Sequence, residues 1–219
     1  MLILGVAIST ISVFHISTIL NEDSDIITES VANTEALKIN DILGKVENRV
    51  QIMENYILAT FEDEVLTDPD KRAEYIKSVK DTFYVITETA KYPAAFYFRF
   101  DPAITEGTAG FYVSRTSLGS HFVDLAPTDL TGWENAPREE VCWFSEPKAE
   151  GEPTWVLPYL NPHSDLNIIS YVIPIYVNHS FIGIVGIDVE RSTLAEIVDN
   201  ISVYDNGFAY LADSDGNVL

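Results

Sequence analysis

The stretch LNIISYVIPIYVNHSFIGIVGIDV, residues 166–189, limits the possible folds more than any other part of the chain. Two apolar, β-branched runs flank Asn178-His179-Ser180, the pattern of an antiparallel hairpin with a short loop. In the second run, every residue from Phe181 to Ile187 is apolar or glycine, which predicts a strand covered on both faces. Pro174 predicts a bend or an edge location midway along the first run. Asp188 then closes the buried run. A carboxylate taken out of water is costly unless something pairs with it, so this acid needs a partner, either within the chain or from outside it.

The flanking segments predict how the hairpin is completed. AAFYFRFD (94–101) and AGFYVSRT (109–116) read as short aromatic strands joined by a polar loop. Residues 124–152 carry proline and tryptophan with little regular pattern. RSTLAEIVDNI reads as a short helix with Thr193 and Glu196 in capping-box spacing, and GFAYLADSDGNVL as strand, Asp215-Gly216 turn, strand. Upstream, residues 23–64 predict one long helix whose apolar stripe includes Ile27, Val31, Leu37, Ile42, Val46, Val50, Met53 and Ile57. Asn21, Asp23 and Ser24 are its N-cap candidates. A second helix follows, with Asp68 as N-cap, Pro69 at the first position, a stripe of Ile76, Val79, Phe83 and Ile86, and a stop at Pro93. Helices followed by antiparallel strands give an α+β fold and not the alternation of a parallel α/β fold.

The first twenty residues, MLILGVAISTISVFHISTIL, carry no formal charge. As a helix they would span ~30 Å, about the hydrocarbon thickness of a bilayer. They lack the basic start and small-residue cleavage site of a secretory leader, so a transmembrane anchor is expected. The absence of a basic flank and a terminus that stops inside a hairpin suggest a piece of a longer chain.

Charge excludes whole classes of partner. Thirteen Lys and Arg oppose 34 Asp and Glu, for a net charge of −21, which repels nucleic acid and anionic lipid. Cys142 is the single cysteine, so there is no internal disulfide framework and no multi-cysteine zinc site. No G-x-S-x-G, phosphate-binding glycine loop or H-E-x-x-H occurs. His163 and Asp165 lack metal-site spacing, and Asp213–Gly216 lacks the remaining ligands of a calcium loop. No metal, cofactor or catalytic group is expected. What remains is an aromatic set (Trp133, Trp143, Phe144, Trp155 and Tyr159) near Asp188. Aromatic walls with one anion suit a small organic cation, while ordinary core packing, with Asp188 capping the turn into the following helix, suits the same residues.

Taken in order, AAFYFRFDP, GFYVSR, CWFSEP, WVLPYLNP, ISYVIPIY, FIGIVGIDVE and NGFAYLADSDGNVL resemble the double Cache extracytoplasmic sensor domains of bacterial transmembrane receptors, over roughly residues 21–219. The resemblance implies a PAS-like, membrane-distal module over 21–206, with a long stalk helix at 23–64 and a central antiparallel sheet. Residues 1–20 would be the anchor and 207–219 the start of a truncated membrane-proximal module. A cytoplasmic output domain, such as a chemotaxis domain, a histidine kinase or a diguanylate cyclase, would lie outside this chain.

In amino-acid-binding members of that family, the pattern places Trp143 and Phe144 at a Trp-aromatic pair, Tyr159 at a later Tyr, and Asp188 at the acid that holds the ligand's amino group. Three positions depart from it. Val141 stands at the carboxylate-clamping Arg, Asn161 at an earlier Asp and Ala136 at the first Tyr. A ligand carboxylate would then need Arg115, Arg99 or Arg138 from elsewhere. The resemblance therefore implies a non-enzymatic sensor that binds a small amine-bearing or cationic molecule through Trp143, Phe144, Tyr159, Asn161, Asp188 and Arg115, and that forms a homodimer through the long helix. A membrane-anchored enzyme and an interaction module with a vestigial pocket are the alternatives.

Overall fold

The structure is a computed structural model that describes residues 23–115, 117, 120–161, 166–202, 207–212, 216 and 218, together with the backbone of the first helix back to Leu2. Helix α1 (Leu2–Thr60) runs unbroken through Asn21, Asp23 and Ser24, which therefore cap nothing. The expected anchor lies outside the described residues. Among the described residues no helix is long and apolar enough to cross a membrane.

The buried stripe of α1 is Ile39, Ile42, Val46, Val50, Met53 and Ile57. Ile27 and Leu37 were expected on it but are exposed, Leu37 to 70%. Counting back from Ile42 by helical spacing leads to Ile39 and passes Leu37 by. From Asp23 to Lys38 no residue is buried, so this part of α1 extends past the domain. The helix ends four residues earlier than expected, and a separate short helix, α2 (Glu64–Thr67), follows.

Helix α3 (Pro69–Thr87) starts as its sequence predicts, with the Asp68 carboxylate accepting from the Asp70 and Lys71 amides and proline at its first position. It stops at Thr87, well before Pro93, which instead opens the first strand.

The sheet comprises β1 (Pro93–Phe100), β2 (Gly110–Ser114), β3 (Val123–Leu125), β4 (Thr154–Leu160), β5 (Asn167–Val177) and β6 (Ser180–Glu190). Its order is β3-β2-β1-β6-β5-β4, with every neighbouring pair antiparallel. β6 is buried on both faces along most of its length, as its unbroken apolar run predicted, and lies between β1 and β5. Asn178 and His179, both at positive φ, make the tight turn into it. Pro174 pairs with β6 beyond the point where β4 stops, so its missing N–H faces no strand.

Helices α1 and α3 cover one face of the sheet, packed on Phe96, Phe98, Phe111, Ile173, Val185 and Ile187. The other face carries Ala95, Tyr97, Tyr112, Ile168, Val172 and Ile184 beneath helix α4 (Arg138–Glu150). Helix α4 falls within residues 124–152, where the sequence shows little regular pattern. Helix α5 (Arg191–Asp199) follows β6 directly. Its expected capping box does not form, because Thr193 lies inside the helix with its hydroxyl buried and unbonded. Beyond it, an antiparallel bridge joins Ala212 to Val218.

Candidate ligand-binding site

Between the sheet and α4 lies a small cavity. It is lined by residues that include Tyr97, Arg99, Tyr112, Trp143, Tyr159, Asn161 and Asp188. Strand alternation builds it. Tyr97 and Arg99 on β1 share a face with Gly186 and Asp188 on β6, while the even-numbered β1 residues point to the other core.

Asp188 is 1% exposed. It does not cap the following helix, because β6 continues past it to Glu190. Its Oδ1 accepts from Ser170 Oγ at 2.6 Å and its Oδ2 from Tyr112 Oη at 3.2 Å. Since the Ser170 proton is committed to Asp188, the 2.8 Å contact between Tyr159 and Ser170 is one in which Tyr159 donates. Asn161 Nδ2 donates to Tyr112 Oη at 2.6 Å. Among the described residues no Lys, Arg or His lies within ion-pair distance of Asp188. Burial pushes its carboxyl up from an ordinary 3.8 to about 7, against the hydroxyl donors that favour the anion. Tyr97 Oη also faces the carboxylate and helps hold it charged, but it lies outside hydrogen-bond geometry and has no partner.

Arg99 gives the cavity an opposite pole. Its Nη2 donates to the Gly107 and Thr128 carbonyls at 2.7 and 2.6 Å, and its Nε reaches the Ala109 carbonyl at 3.5 Å. The guanidinium lies 5.8 Å from the Trp143 ring centre. No carboxylate forms an ion pair with it among the described residues. Burial pulls its pKa down to about 10, which leaves it charged at neutral pH.

The residues expected to form the site divide. Trp143, Tyr159, Asn161 and Asp188 come together around the cavity. Phe144 points away from it. With Trp133 and Phe181 it surrounds Lys148, whose ammonium lies 5.0–5.4 Å from the three ring centres and 2.7 Å from Asp101. One aromatic box is thus occupied by the chain's own cation. Trp155 is on the opposite face, donating to Glu47 of α1 at 2.7 Å. Arg115 does not reach the cavity. Its guanidinium donates to the Pro93 and Ala90 carbonyls at 2.6 and 2.8 Å, because β2 ends where those carbonyls need donors. Arg138 pairs with Glu146 on the surface of α4.

Tyr97, Tyr112 and Ser170 were not picked out from the sequence, although their even spacing from Arg99, Ser114 and Asp188-facing positions would place them on the cavity side once the register is known. His163 and Asp165 lie outside the described residues. Among those described, no cluster of three His, Cys, Asp or Glu side chains could hold a metal.

The fold has solved counterparts. The ligand-binding domain of the Campylobacter jejuni chemoreceptor Tlp3, in complex with L-valine, matches with a TM-score of 0.56 at 15% identity, over 92% of this chain and 70% of that one. The ligand-binding domain of the Pseudomonas aeruginosa PAO1 amino acid chemoreceptor PctC, in complex with GABA, matches with a TM-score of 0.56 at 16% identity, over 87% and 72%. The extracellular domain of the putative histidine kinase mmHK1S-Z3 matches with a TM-score of 0.55 at 17% identity, over 90% and 68%. Residues 73–196 match a model of the methyl-accepting chemotaxis protein-like, first PDC sensor domain. That span is more than half of the chain and contains the whole sheet and the cavity, so the chain belongs to this family of sensor domains.

Proposed function

We propose that this chain is the extracytoplasmic, ligand-sensing part of a transmembrane signalling receptor, and that the cavity under α4 takes a small amine-bearing molecule. One observation carries the reading. Asp188 and Arg99 are buried in the same cavity, an acid and a base, Asp188 with no cation beside it among the described residues and Arg99 with only the Asp129 carboxylate nearby, beyond ion-pair distance. A ligand ammonium completes Asp188, and Trp143 offers it an aromatic face. Arg99 suits a ligand that also carries a carboxylate, and takes over the role of the clamping arginine missing at Val141. The ligands in the similar Tlp3 and PctC domains, L-valine and GABA, have both groups.

The signal passes along β5. Ser170 on one side of this strand holds Asp188, while Ile169 and Ile173 on the other side belong to the core that includes α1. Ligand binding biases two arrangements of that helix by its difference in affinity for them, typically ~1–3 kcal/mol. Two copies pair through the outward face of α1, where Ser30, Leu37, Gly44, Gln51 and Leu58 recur every seven residues without a charge, and Asn33, Asn40, Asn48 and Asn55 lie beside them. An uncharged face is where two chains of −21 each can approach. Met1–Leu20 forms the anchor, and the membrane-proximal module starts near Gly207.

Isothermal calorimetry of the purified chain with amines and amino acids tests the reading. Binding by wild type and its loss in Asp188→Ala is the expected result. No binding, or equal binding by the variant, overturns it.

A further inference from the structure

Among the described residues lining the cavity, Tyr97 alone has a fully buried polar atom that the chain leaves without a hydrogen-bond partner. Buried phenol hydroxyls ordinarily find one, because an unmatched buried hydroxyl keeps its full desolvation cost. The placement is built in. Tyr97 and Gly186 sit opposite each other on β1 and β6, and a Cβ at 186 would come within 2.6 Å of the Tyr97 Cζ and Oη. Glycine at that position lets the ring lie across β6 toward Asp188, two residues along on the same face. The ring is held edge-on by Trp143 at 5.5 Å and beside Tyr112 at 6.0 Å. The hydroxyl is therefore fixed beside the acid, in the wall of the cavity.

We infer that Tyr97 determines the site's specificity, selecting ammonium groups that carry N–H bonds over fully alkylated ones. The inference rests on the reading of the cavity as an amine site. Asp188 accepts one N–H and the charge, and Tyr97 Oη accepts a second. A primary ammonium meets both acceptors. A quaternary ammonium offers charge and bulk but no donor, and leaves Oη as unmatched as it is in the empty site. Burial and the Asp188 charge keep the phenol protonated, so its own proton is free to turn to the carboxylate while its lone pair receives the ligand.

The test compares wild type, Tyr97→Phe and Asp188→Asn by calorimetry. The probes are L-valine and GABA, each paired with its N-trimethylated counterpart. The expected result is a preference of wild type for the primary amine of at least one pair, a loss of about tenfold or more for that amine in Tyr97→Phe, and no change for the trimethylated form. Thermal melting without ligand gives a second readout. Tyr97→Phe should melt at or above the wild-type temperature, since it removes an unmatched hydroxyl. Retention of primary-amine affinity by Tyr97→Phe, with its loss in Asp188→Asn, overturns the role of Tyr97 and leaves the amine site standing. A clear drop in melting temperature without ligand also overturns it. Full affinity in Asp188→Asn, or no binding of any probe to wild type, overturns the amine site and this inference with it.

Discussion

Ser170 and Asp188 face each other directly across the β5–β6 pair, and the serine hydroxyl donates to the carboxylate at 2.6 Å. The buried acid is thereby oriented by the same strand that packs on α1, and it remains without a cation among the described residues. The predictions below follow from that arrangement and from the packing around it.

Asp188 makes stability depend on pH. Its pKa is raised in the fold, so between about 4 and about 7 the folded chain holds a proton that the unfolded chain has lost. Stability therefore falls as pH rises through that window, by at most ~1.4 kcal/mol per pH unit from this group, and the loss is complete above about pH 7. Amine affinity rises over the same range, because the anion is the binding form. Urea titrations of wild type and Asp188→Asn at several pH values check this. The two curves should diverge with rising pH, the variant gaining relative to wild type.

Gly186→Ala should displace Tyr97, since the added methyl meets its ring. Overpacking of this kind costs about 1–3 kcal/mol. Ligand affinity should fall along with stability, although residue 186 itself offers no polar group. Chemical denaturation and calorimetry on the same sample measure both effects.

Lys148→Met keeps the apolar stem inside its ring of Trp133, Phe144 and Phe181 but leaves Asp101, itself buried, without its cation. The lysine is partly solvated, so the expected loss is about 1–3 kcal/mol, below the range for a fully buried pair. A double-mutant cycle with Asp101→Asn should recover most of it.

Cys142 is buried and burial pushes its thiol up to about 11. The folded chain should resist a thiol-specific disulfide reagent at pH 8, and its reaction should appear only as denaturant unfolds the domain. Rapid labelling of the native protein would show that α4 opens on its own.

Leu37→Glu should leave the unfolding midpoint within about 0.5 kcal/mol of wild type, because residue 37 touches no core. It should nonetheless shift the sedimentation profile toward monomer, by placing like charges opposite each other in the proposed pairing of two α1 helices. Met53→Ala is the contrasting variant, with an expected loss of about 2–5 kcal/mol of stability.

Periodicity alone made much of this architecture legible. The β5–β6 hairpin, its turn, the start of α3 and the burial of β6 on both faces all follow from residue pattern. Helix α4 did not, because Pro147 near its end and the aromatic Trp143-Phe144 pair obscure a helical signal whose stability comes from packing on the sheet. The site was half legible. Asp188 stood out as an acid at the end of an apolar run, Trp143 and Tyr159 belonged to the aromatic set beside it, and the resemblance added Asn161. Arg99 was no more conspicuous than Arg115, since both end aromatic strands. Both donate to backbone carbonyls, and only the register decides that Arg99 lines the cavity while Arg115 does not. The aromatic set could not be divided without knowing which face each residue takes, so the ring around Lys148 and the wall of the cavity read as one cluster.

In the proposed signalling, the first sixteen described residues of α1, which lie outside the domain, would serve as a lever arm. At 1.5 Å per residue they reach roughly 24 Å beyond the fulcrum at Ile39. A tilt of about 5° there, small enough for close-packed side chains to accommodate, sweeps the far tip sideways by roughly 2 Å over that length. A displacement too slight to notice beside the sheet thus becomes, at the distal end of the rod, a movement comparable to the shifts by which neighbouring helices switch their packing.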